Sequence, residues 1–144
     1  MATTIQRSVR SQRMNYTSGF KYQLTENFYI QTEICPEETV DWLFVTLHES
    51  GLLEIRRGWA WDGPSGLTID TKDSMVAALV HDALYALMQK KLISWDHRKA
   101  ADQLFYDLLI QDGMWQWRAK YWYTAVRKLG YAFAHKAKKV KTAP

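Results

Sequence analysis

The chain has 144 residues, a formal net charge of +4 and a single cysteine. A chain of this length buries a core without disulfides or a structural metal, and Cys35 alone excludes an internal disulfide framework and any multi-cysteine metal site. The start MATTIQRSVR lacks the apolar stretch of a secretory signal, and no apolar run reaches the ~20 residues of a membrane span, so synthesis in the cytoplasm is expected.

Residues 1 to 19 are polar and aperiodic, with Arg7, Arg10 and Arg13 among Ser, Thr and Gln, and read as a flexible arm. The remainder, 20 to 144, reads as one α+β domain. Residues 20 to 61 carry strand signals: FKYQL, NFYIQTEI, DWLFVTLHE and LLEIRRGWAW are short, rich in aromatic and β-branched residues, and broken at TEN, CPEET and ESG. Glu49, Ser50 and Gly51 suit a hairpin turn, with Gly supplying a positive φ. The expectation is an antiparallel β-meander.

Residues 71 to 138 turn helical. Thr71 or Asp73 can cap a helix running to about Lys91, with Val76, Leu79, Val80, Leu84, Leu87 and Met88 on its apolar side. Ser94 or Asp96 can cap a second, in which Ala101, Leu104, Phe105, Leu108 and Leu109 recur at helical spacing until Gly113. The short connection makes these two an antiparallel hairpin. A third, basic helix spans about Trp115 to Lys138. Its WQWRAKYWY run places aromatics all round the axis, so some must face a partner or lipid. Seven Trp and eight Tyr in one chain point the same way, because both side chains favour half-apolar, half-wet surfaces and so imply an oligomer or a lipid contact.

The helical stretch VHDALYALMQ sets two ionisable groups, His81 and Asp82, at the edge of a face that should be buried. His81 and Tyr85 are one turn apart and stack along one face, while Asp82 points about a quarter-turn away. In the antiparallel hairpin Asp102 can approach His81. A carboxylate bonded to one imidazole nitrogen fixes the tautomer and leaves the other nitrogen to take a proton from water, which makes a general-base dyad. The loop Asp62, Gly63, Pro64, Ser65, Gly66 could bend its carbonyls towards the Asp82 carboxylate, an oxygen donor set of the kind Ca²⁺ prefers. Ser65 lacks the strand, elbow and helix of a hydrolase nucleophile. Helix capping accounts for Asp70 and Asp73, and His48 and His97 lack a partner at ligand spacing. Lys136, Lys138, Lys139 and Lys141 form a basic tail, with His135, that suits the phosphates of lipid or nucleic acid.

A Gly-containing loop, then H-D-x-x-Y on one helix and A-D-x-x-F on the next, resembles the core of secreted phospholipases A2. The disulfide-free version in parvovirus capsid proteins is more similar still. The combination DG-x-S, H-D-x-L-Y, R-x-x-A-D-x-x-F and Y-x-x-V-R-x-x-G, over about residues 55 to 130, resembles a family of small uncharacterised bacteriophage and prophage proteins. The phospholipase resemblance implies His81 as the base that activates water, Asp102 as its orienting partner and Tyr85 as a hydroxyl supporting Asp102. It implies Asp82 as the side-chain ligand of Ca²⁺, with carbonyls around Asp62, Gly63 and Gly66 completing the site and the cation holding the oxyanion.

Two readings of the histidine pair stand side by side: a catalytic dyad, or a buried hydrogen bond that ties two helices together. The first expectation is a phage virion or assembly component, made in the host cytoplasm with the virion as a destination, in which the site is structural and other phage structural proteins are the partners. The alternative is a calcium-dependent phospholipase used in entry or lysis. A nucleic-acid contact through the basic tail is a third.

Overall fold

The computed structural model describes residues 16–19, 21–61 and 74–136. Among the described residues the order is seven strands followed by helices, an α+β arrangement in which each strand pairing is antiparallel. It divides into two compact units, Met1–Asp62 and Gly63–Pro144.

The first unit contains β1 (Tyr16–Gly19), β2 (Lys21–Leu24), β3 (Phe28–Gln31), β4 (Val40–Trp42), β5 (Val45–Leu47), β6 (Leu52–Ile55) and β7 (Ala60–Trp61). They form one sheet in the order β1-β2-β7 and another in the order β3-β6-β5-β4. Only β4, β5 and β6 follow one another as a meander, because β3 adds to the far edge of β6. β1 lies inside the segment expected to be an arm, and residues 1–15 lie outside the described residues. DWLFVTLHE is two strands, turned at Leu43 with φ 45°.

Alternation sets the register of this sheet. In β3, Phe28 and Ile30 are buried and Tyr29 and Gln31 less so; in β6, Leu53 and Ile55 are buried and Leu52 and Glu54 less so. A one-residue slip would bring Leu53 and Ile55 to the outer face, at about 1.5–3 kcal/mol each. The β5–β6 turn fixes the register from its other side. Gly51 has φ 88°, its N–H donates to the His48 carbonyl (2.9 Å), and the His48 N–H donates to the Leu52 carbonyl (2.9 Å). His48 faces Glu54 across the hairpin at 3.5 Å.

The second unit contains α1 (Met75–Gln89), a 3₁₀ turn (Trp95–His97), α2 (Arg98–Gln111) and α3 (Gln116–Lys136). The expected caps Thr71 and Asp73 lie outside the described residues. Instead of a two-faced helix, α1 is buried nearly all round, with Val76, Asp82, Ala86 and Gln89 the residues less than fully covered. Ala77, Ala78 and Ala83 supply the reason, since a face of methyl groups lets neighbours approach closely. α1 closes on Lys91, which takes the left-handed φ of 61° usually left to glycine, while the Leu92 N–H reaches back to the Leu87 carbonyl (3.0 Å). The Ser94 hydroxyl accepts from the Asp96 N–H (3.1 Å) and starts the 3₁₀ turn into α2. Gly113, φ 101°, ends α2 as expected. Among the described residues no helix is long and apolar enough to cross a membrane.

Candidate functional site

α1 and α2 run antiparallel, since rising positions on the first meet falling positions on the second: His81 faces Phe105, and Tyr85 faces Trp95. α3 returns along α2, with Tyr123 against Tyr106 and Arg127 against Asp102. One carboxylate lies where the three helices meet.

Asp102 is wholly buried, and its Oδ1 accepts from two side chains of α1. His81 Nε2 is 2.7 Å away and the Tyr85 hydroxyl, donating, is 2.6 Å away. Helical spacing places both donors, because residues four apart lie one above the other. The same spacing stacks the His81 and Tyr85 rings, with centroids 4.2 Å apart, and Phe105 closes the other side of the imidazole at 5.0 Å. His81 therefore stands between two rings with Nε2 directed at the carboxylate. If Nε2 carries the proton, Nδ1 keeps a lone pair, and no hydrogen bond to Nδ1 occurs among the described residues.

The second carboxylate oxygen, Oδ2, accepts from Arg127 Nη1 at 2.9 Å. Arg127 comes from α3, and Arg98 at the start of α2 donates to the Arg127 backbone carbonyl. A buried carboxylate without a counter-charge costs several kcal/mol, so the Arg127 guanidinium, about a third exposed, offsets the burial of Asp102. Burial and then the bond to Asp102 and its charge push the Tyr85 hydroxyl far above its ordinary range, so it stays protonated and donating.

His81, Tyr85 and Asp102 are thus brought together as the sequence implies. The motif Y-x-x-V-R-x-x-G contains Arg127, but no role in this cluster followed from it. Its role needed the packing of α3 on α2, which no local spacing reveals. The signal was there in R-x-x-A-D-x-x-F too, since Arg98, Asp102 and Phe105 all contribute to this cluster.

Asp82 lies on the partly covered strip of α1 with Ala86 and Gln89, and the hydrogen bonds of Asp102 do not include it. Asp62, Gly63 and Gly66 lie outside the described residues. Among the described residues no group of three or more His, Cys, Asp or Glu side chains comes together to hold a metal. A calcium site with Asp82 as its side-chain ligand would have to be completed by the 62–66 loop.

No curated protein and no solved structure matches the chain. Residues 64–126 match the model of a family described as "Protein of unknown function (DUF1353)". The matched segment holds His81, Tyr85, Asp102 and Phe105 and stops one residue short of Arg127, so the likeness to that uncharacterised domain family covers the helix pair and its polar core.

Proposed function

We propose that this protein is a phage-encoded virion or assembly component in which His81, Tyr85, Asp102 and Arg127 form a structural clasp and the exposed side of α3 is a contact surface. The observation that carries this reading is that Asp102 is fully buried and accepts from side chains of both α1 and α3. A carboxylate that only orients a base needs one such bond; one bonded by two other helices fixes a tertiary arrangement. The phage setting rests on the motif resemblance of residues 55 to 130. Sedimentation of the purified protein and mass spectrometry of particles from the encoding phage test it. An oligomer or a virion-bound species is expected, unchanged by His81→Gln and indifferent to Ca²⁺. A monomer absent from particles sinks the assembly reading.

One observation favours a second reading, a calcium-dependent phospholipase or esterase acting in entry or lysis. His81 Nε2 on Asp102 Oδ1, with Tyr85 on the same oxygen, is an arrangement that would leave Nδ1 to accept a proton from water. Fatty-acid release from anionic vesicles, with Ca²⁺ and with chelator, decides it. Calcium-dependent release lost in His81→Gln would make the cluster an active site.

A further inference from the structure

The clasp leaves the start of α3 uncovered. Ala119 and Val126 are buried, and the opposite side of the helix carries Trp117, Tyr121 and Lys128, all exposed. Trp115, just before the helix, is 72% exposed, Trp117 68% and Tyr121 64%. Large aromatics at this exposure within seven residues are an apolar patch that a lone soluble surface rarely keeps. The two indoles meet edge to face with centroids 6.5 Å apart, and with Gln116 and Lys120 they line a shallow open concavity of about 650 Å³.

Charge identifies the occupant. No Asp or Glu occurs after Asp112, whereas Arg118, Lys120, Arg127, Lys128 and Lys136 lie on α3 and Lys138, Lys139 and Lys141 follow. Arg127 is engaged by Asp102, which among the described residues of α3 leaves Arg118, Lys120 and Lys128 to an external anion. A one-sign field of this kind fits an extended polyanion better than a protein surface of mixed charge. Among polyanions, single-stranded nucleic acid calls for parallel ring faces spaced along a basic groove. Here the indoles are tilted 70° to each other, and among the described residues the exposed aromatics Trp115, Trp117 and Tyr121 are bunched at the start of the helix. Indole and phenol rings beside lysines are instead the composition of a headgroup layer, where the rings enter the acyl boundary and the amines stay at the phosphates.

We infer that Trp115, Trp117 and Tyr121 form a docking patch for an anionic lipid bilayer, seated by insertion of the rings and oriented by the lysines and arginine of α3. The inference goes beyond the assembly reading and shares with it only the premise that α3 is a contact surface. It requires no catalysis.

The test is co-sedimentation of the full chain with vesicles of phosphatidylcholine alone and of phosphatidylcholine with phosphatidylglycerol, beside a labelled single-stranded oligonucleotide. Binding to the anionic vesicles is expected, weakened at high salt. Trp117→Ala, at an exposed position that leaves the helix content unchanged by circular dichroism, is expected to lower partitioning roughly tenfold. Tyr121→Ser provides a second variant should the first aggregate. Vesicle binding that Trp117→Ala and Tyr121→Ser leave unchanged overturns the inference, as does a folded protein that ignores both vesicle types. Tight oligonucleotide binding without vesicle binding also overturns it and moves the patch to nucleic acid. An oligomer or particle-bound protein that fails to bind vesicles leaves the assembly reading standing while removing the lipid.

Discussion

At the scale of single residues the decisive one is Asp102, because its two oxygens serve three helices. Asp102→Ala strands the Arg127 charge and removes the acceptor of His81 and Tyr85. A loss of about 3–5 kcal/mol in urea unfolding is expected. Tyr85→Phe deletes one bond to a charged acceptor while keeping the ring against His81, so about 1.5–3 kcal/mol is expected in the same assay. The approach of Asp102 to His81 was legible in the sequence because helical spacing and a short connection bring them together, whereas the Tyr85 bond to Asp102 was implied only by the phospholipase resemblance. The part of Arg127 was not legible, since its partner lies 25 positions away on a helix whose packing the sequence does not display.

At the scale of elements, boundaries decide stability. Lys91 ends α1 in the left-handed region, where a Cβ costs about 1–2 kcal/mol. Lys91→Gly is expected to raise the thermal midpoint, with a net gain of about 1 kcal/mol after the entropy that glycine adds to the unfolded chain. Gly51 is the opposite case: a Cβ there would lie 2.4 Å from the Thr32 carbonyl oxygen, at a φ of 88°. Gly51→Ala is expected to cost at least about 2 kcal/mol in thermal unfolding. Both positions could be read from the sequence, Gly51 as a turn and Lys91 as about the end of α1. The left-handed backbone of Lys91 could not, because it was imposed by α1 having to end before the turn at Ser94.

At the scale of the whole molecule, the two ends of the pH–stability curve belong to different units. Tyr85 has a raised pKa in the fold, so the native state holds a proton that the unfolded chain loses above its ordinary value of 10.0. Stability is therefore expected to fall as pH rises past about 10, and Tyr85→Phe to remove that part of the decline in urea midpoints measured across pH. At the acid end Asp41, lowered by its bonds to Thr46 and then Arg56, contributes stability above its ordinary 3.8 that is lost as pH falls through its native value. Asp41 is exposed, so Asp41→Asn is expected to flatten the acid limb only slightly.

The sequence by itself determined the α+β order, the strand-rich and helical halves, the β5–β6 turn and the helix pair with His81 facing Asp102. Each follows from a period of two or of 3.6, or from a turn residue, and such signals are local. Only the tertiary structure decided the addition of β3 beside β6, the near-complete burial of α1 and the capture of Asp102 by Arg127. These depend on which face meets which across long separations, where the gain comes from burying apolar surface while a counter-charge offsets the cost of the buried carboxylate.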